Sequence, residues 1–117
     1  MKRLGRDPDA LLPLKRATFQ VLLALGDESM HGYAIMQAIS AMTEGREAIL
    51  PGTLYAALAR MVDDKLVEEK DGADVSGGPQ RRYYRRTSFG RAVARAESER
   101  LSALLDVARA QKIVGDR

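Results

Sequence analysis

The chain has no cysteine, no tryptophan and one histidine in 117 residues. Without cysteine there are no disulfides and no thiolate metal sites, which fits a reducing compartment. A lone His31 has no His or Cys cluster to join, and a metal site needs three or four ligands, so the expected role is packing or capping at a helix start. No apolar run approaches the length of about 18 residues that suggests a membrane span, and "MKRLGRDPDALL" has basic residues with no apolar core behind them, so no signal peptide is expected. The expected location is the cytoplasm, with no membrane partner. No nucleophile stands beside a base in any motif, and Glu68 and Glu69 alternate across a strand instead of converging, so an enzyme is not expected. Gly77-Gly78 lacks both the glycine-rich pattern and the following helix of a phosphate loop. No cofactor is implied.

What is present is ordinary in amount and unusual in arrangement. At 45% hydrophobic and 30% charged residues, the composition is that of one globular domain with a modest core. The net charge of +3 names no partner, but its distribution is uneven. From Arg81 to Arg100 there are seven arginines and two glutamates, and from Asp63 to Asp74 six acids and two lysines. "RRYYRR" puts four arginines in six residues, a density that repels itself unless an anion is near. On that reading the acidic stretch faces away from the anion.

Pro13 to Leu25 reads as a first helix, with Phe19, Leu22, Leu23 and Leu25 apolar and Gly26 as its stop. Met30 to Thr43 reads as a second, apolar at Ile35, Met36, Ile39 and Met42. Pro51-Gly52 punctuates the chain before a third, which stops near Lys65. "LVEEK" and "RRYYRR" follow as two strands of a hairpin whose tip, Asp71 to Gln80, is dense in turn formers. Thr87 is placed to cap a final helix of about 25 residues running from Ser88 towards Val114. The expected fold class is therefore mainly α with a small β-hairpin: a winged helix-turn-helix plus one C-terminal helix. Residues 1–87 would form the winged-helix DNA-binding domain and 88–117 the dimerisation helix, in one compact unit.

The third helix carries the functional argument. Leu54, Leu58, Met61 and Val62 make an apolar stripe, while the opposite face offers Thr53, Ala56, Arg60 and Asp63. An ordinary solvated face would be crowded with long charged side chains. A helix that enters the major groove by its N-terminal end needs a slim, non-acidic front there. In the last helix, Val93, Ala96, Leu101, Leu104, Leu105 and Ala108 form an apolar stripe longer than three short helices can cover, which points to a second subunit. The alternative, from another class, is a winged-helix protein–protein module whose basic hairpin binds an acidic partner.

"HGYAIM" (His31 to Met36), "PGTLYAAL" (Pro51 to Leu58) and "RRYYRRTSFG" (Arg81 to Gly90), in this order and spacing, resemble the PadR family of transcriptional regulators. The resemblance covers Leu12 to Lys112, and the single helix after the wing is similar to the compact subtype. It implies a homodimeric winged-helix repressor on double-stranded DNA with an inverted-repeat operator, released by an apolar small-molecule effector. In the recognition helix it implies DNA contacts from Gly52, Thr53 and Tyr55, with Leu54 in the core, and in the wing from Arg81 and Arg82. The wheel of the third helix adds Ala56 and Arg60, the hairpin adds Gly78 and Tyr83, and the stripe of the last helix makes Val93, Leu101, Leu104, Leu105 and Ala108 the expected dimer interface. Some relatives bind flat drugs between paired tryptophans, a pair absent here. Two positions depart from the family pattern: Arg86 stands where Leu is frequent, and Lys65 where Gly is usual. Arg86 is expected on the surface or at a phosphate. A left-handed Lys65 should cost about 1 kcal/mol.

Overall fold

A computed structural model of the chain describes residues 7–72 and 81–115. A short 3-10 turn at Pro8–Leu11 leads into α1 (Arg16–Leu25), β1 (Met30–His31), α2 (Gly32–Met42), α3 (Pro51–Asp63), β2 (Val67–Gly72), β3 (Arg81–Arg86) and α4 (Ser88–Ala110). The strands form one antiparallel sheet in the order β1-β3-β2. The expected two-stranded hairpin is thus widened by a third strand.

The extra strand, β1, lies where the second helix was expected to begin. Met30 pairs with Tyr84 and His31 with Tyr83. Two residues are too few to carry an alternating pattern, so only pairing with β3 makes them a strand. Helix α2 then begins at Gly32, and His31 caps it: its Nδ1 accepts a hydrogen bond from the Ala34 amide at 3.2 Å. Helix α1 also starts later than expected, at Arg16. The residues before it are held extended instead, and the Leu14 amide donates to the Glu97 carboxylate of α4 at 3.0 Å.

Helix ends follow local chemistry closely. Gly26 stops α1 with φ 53°. Past α3, Lys65 adopts φ 64°, its amide donating to the Val62 carbonyl at 3.1 Å and the Leu66 amide to the Met61 carbonyl at 2.9 Å. That pair of bonds is a Schellman closure, with lysine in the left-handed position that favours glycine. Thr87 caps α4 by accepting from the Gly90 amide at 2.8 Å, while its hydroxyl donates to the Lys65 carbonyl at 2.6 Å. Gly90 is needed there because a Cβ would stand 2.1 Å from the Leu66 carbonyl oxygen. Helix α4 ends at Ala110, about one turn short of the expected Val114, with Lys112 left-handed at φ 63°.

The core gathers one stripe from each helix. Val21, Leu22 and Leu25 meet Ile35 and Ile39, Leu54, Leu58 and Met61, then Leu66, Val67 and Tyr84. Three expectations need correcting. Leu23 and Met42, read as part of the apolar stripes, are 44% and 43% exposed. Val93, expected at a subunit interface, is fully buried in the core of its own chain. Its position in the second turn of α4 puts it under the sheet and against α1, where no second subunit can reach it. Arg86 is neither surface nor phosphate ligand: its side chain is 13% exposed, bonded at 3.1 Å to both the Leu22 carbonyl and Asp27.

Candidate nucleic-acid interface

Helix α3 buries Leu54, Ala57, Leu58 and Met61 and turns Gly52, Thr53, Tyr55, Ala56, Ala59, Arg60 and Asp63 outward. Its N-cap, Leu50, makes no side-chain cap bond, and Pro51 occupies the first turn. Gly52, Ala56 and Ala59 lie along the middle of the exposed face, so the ridge is nearly bare of side chain. The larger groups stand on its two flanks.

On one flank, Tyr55 leans over the start of α2. Together with His31, Gly32, Tyr33, Arg82 and Tyr84 it lines a cavity of about 410 Å³. On the other flank, Arg60 borders a groove shared with Pro13, Leu14 and Lys15, and Thr53 a wider cleft of about 570 Å³ shared with Arg16, Gln20 and Arg46. The Glu47 carboxylate lines that cleft too, held by Gln20. Of the five residues expected on the recognition helix, Gly52 and Ala56 thus share one open face, with Thr53 at its edge. Tyr55 and Arg60 point to opposite sides of it.

The wing needs a correction. "RRYYRR" was expected to seek an external anion with the acids turned away. In the sheet, β2 lies antiparallel to β3, with Glu68 opposite Arg85 and Glu69 opposite Tyr84 in the register. Arg82 is ion-paired with Glu69, and Arg86 with Asp27. Two of the cluster's arginines thus meet an acid within the chain, Arg82 across the paired strands and Arg86 in the turn after α1. Arg82 nonetheless keeps 67% of its side chain exposed. Tyr83 is half-buried, its ring edge-on to His31 with centroids 5.6 Å apart. Tyr84 is buried in the core, and burial raises its hydroxyl pKa despite the opposing charge of Arg82. Arg81 belongs to β3 by its backbone alone, and Gly78 lies outside the described residues.

Lys15, Arg16 and Arg46, the cations beside Arg60 and Thr53, were not singled out in the sequence. Lys15 and Arg16 open α1 and Arg46 lies in the connector between α2 and α3, and only packing brings them alongside α3. Glu97 was likewise missed. It is 2% exposed, on the buried face of α4 with Val93 and Ala94, and accepts two bonds from Arg100 at 2.6 and 3.1 Å. Those bonds hold its carboxyl below the usual range, against the desolvation that raises it.

Further along α4, Leu104, Leu105 and Val107 are 56%, 44% and 54% exposed, with Leu101 and Ala108 half-buried. Among the described residues no helix is long and apolar enough to cross a membrane.

Three helices with a three-stranded sheet attached, α3 outermost and β2–β3 beside it, define a winged helix-turn-helix protein. The family model of PadR-like transcriptional regulators matches residues 21–96, and the chain belongs to that family. An uncharacterized protein from Lysinibacillus sphaericus is 39% identical over 72 residues, covering 62% of this chain and 65% of that protein, so the match spans just under two thirds of its relative. A transcriptional regulator from Clostridium thermocellum shares the fold with a TM-score of 0.70 at 24% identity, over 87% of this chain and 96% of that one. Bacillus subtilis PadR, solved in complex with operator DNA, aligns with a TM-score of 0.62 at 15% identity, over 76% of this chain and 48% of that one.

Proposed function

We propose that the protein is a homodimeric, sequence-specific DNA-binding repressor of the cytoplasm. The observation that carries this reading is the outward face of α3: small and uncharged along its ridge from Gly52 to Ala59, edged by Arg60, with Tyr55 and Arg82 on one flank and Lys15 and Arg16 on the other. A front end without bulk or acids can sit deep in a major groove while Lys15, Arg16 and Arg82 reach the phosphates on either side, and Asp63 lies at the far end, where the helix would leave the groove. Thr53, Ala56 and Arg60 would face base edges, and Tyr55, Arg81 and Arg82 the backbone. The Bacillus subtilis relative was crystallised on operator DNA, which supports the same use of a shared fold.

The second subunit would cover Leu101, Leu104, Leu105 and Ala108 of α4. Two-fold symmetry of the protein is mirrored in an inverted-repeat operator, with half-site centres roughly 10 bp, or a multiple of that, apart. An apolar or planar effector at this interface would release DNA by favouring a different spacing of the two α3 helices, which requires unequal affinity for the two states. The alternative, a hairpin that binds an acidic protein partner, is separated by competition: competing duplex should abolish phosphate-driven binding and leave protein binding in place.

The experiment is a titration of Arg60→Ala and Arg82→Ala on operator and scrambled duplex at several salt concentrations. Footprinting upstream of the protein's own gene supplies the operator. Arg60→Ala should cost about 1–3 kcal/mol on operator and much less on scrambled DNA. Arg82→Ala should weaken both alike and make the log–log salt slope shallower by about one unit per subunit. Equal losses on the two duplexes for Arg60→Ala would mean that α3 grips backbone only.

A further inference from the structure

Gly32 opens α2 and is buried directly beneath Tyr55 of α3. A Cβ at Gly32 would lie 2.1 Å from the tyrosine hydroxyl oxygen, 2.6 Å from Cζ and 2.9 Å from Cε1. Favourable contact between heavy atoms begins at about 3.5 Å, so a side chain at residue 32 and the present Tyr55 rotamer exclude each other. The atoms in the way are the far end of a two-torsion side chain that is 48% exposed. A methyl group would therefore push the tyrosine off its seat and leave the backbone where it is. Nothing in the backbone of α2 demands glycine here, since Gly32 is not among the positive-φ residues. The missing Cβ is used for Tyr55.

The seat sets where the hydroxyl lies. It is brought to the first turn of α2, in the cavity bounded by Tyr33 and Arg82, between the helix that enters DNA and the wing beside it. We propose that Gly32 is a positioning residue for nucleic-acid binding: it holds the Tyr55 hydroxyl where, beside Arg82, it donates to a backbone phosphate of the duplex that α3 enters. This inference rests on the DNA-binding reading above. It adds that a residue making no DNA contact of its own sets affinity through the one stacked on it, and that the ligand at this flank is a phosphodiester, bound without regard to sequence.

The test is a double-mutant cycle read on a short mixed-sequence duplex at low salt. Gly32→Ala should weaken binding roughly ten-fold, the size of one lost hydrogen bond to a charged group. Tyr55→Phe, which keeps the ring and removes the hydroxyl, should weaken it to a similar extent. In a Tyr55→Ala background, Gly32→Ala should cost nothing further, because the displaced group is already gone. Thermal melts should place Gly32→Ala within a few degrees of the parent. Additive losses in the cycle, or wild-type binding by Gly32→Ala, would overturn the proposal. If Gly32→Ala fails to fold, Tyr55→Phe decides: unchanged binding removes the hydroxyl from the interface and the proposal with it. Failure of the parent protein to bind the duplex at all would remove the DNA-binding reading itself. Parent binding with an uncoupled cycle removes only the role of Gly32.

Discussion

The two halves of α4 form one helix with one apolar periodicity, yet they meet different fates. In the first half, Gly90, Val93, Ala94 and Glu97 are buried within the chain. In the second, Leu104, Leu105 and Val107 are about half exposed on a helix that has run past the rest of the domain. Both halves read alike as sequence, because periodicity identifies a face and says nothing about what covers it. Where the body of the protein ends, the same stripe changes from core to candidate interface. Val93 and Leu104, eleven residues apart, illustrate the difference, and substituting each should break the protein in a different way.

Val93→Asp should have the largest effect. It places a carboxylate in the core with no partner, and should cost about 4 kcal/mol or more, enough to unfold a domain of this size. Circular dichroism should show lost helix at any protein concentration. Leu104→Glu should instead leave the subunit folded and abolish the dimer, seen in sedimentation as a monomer with an unchanged helical spectrum. If it sediments like the parent protein, the second half of α4 is not the interface.

The buried carboxylate marks the end of the half that belongs to the core. Glu97 accepts from Arg100 on its own helix and ties α4 to the Leu14 amide, and those bonds lower its pKa in the folded protein. The folded chain then binds this proton less tightly than the unfolded one. The resulting stability is complete above the unfolded carboxylate pKa of about 4.3 and is lost as pH falls through the lower folded value. Glu97→Gln should therefore destabilise the protein at neutral pH by about 1–3 kcal/mol. The gap from the parent should close in acid, and denaturant melts across that range should reveal it. A gap that persists unchanged below the folded pKa would show that the charge is not what matters. The smallest expected effect lies at the end of α3. Lys65→Gly relieves a left-handed non-glycine residue and should raise stability by about 0.5–1 kcal/mol, visible as a small increase in melting temperature. No increase would mean that the lysine side chain is compensated locally.

Much of the architecture was legible because its signals are short-ranged. Pro51 at the start of α3, Gly26 past α1 and Thr87 before α4 act on backbone within a few residues of themselves, while the expected hairpin tip lies largely outside the described residues. The bare ridge of α3 was legible for the same reason, since a helical wheel needs only the local sequence. β1 was not, because two residues carry no period. The wing's electrostatics were misread for a related reason. The count of arginines in "RRYYRR" was right, but whether they face Glu68, Glu69 and Asp27 or an outside anion depends on register and packing.

The sequence by itself thus determined the order of the four helices and the two hairpin strands, the Gly26 stop, the Thr87 cap and the slim face of α3, all set by interactions between residues close in the chain. Tertiary structure alone decided the rest. It turned Val93 inward, folded Arg86 onto Asp27 and the Leu22 carbonyl, buried Glu97 against the Leu14 amide, and laid Tyr55 on Gly32. The Arg86 and Glu97 bonds join residues 59 to 83 positions apart. No local pattern encodes such a contact, because a side chain's partner at that separation is chosen by how the elements pack and not by its neighbours in the chain.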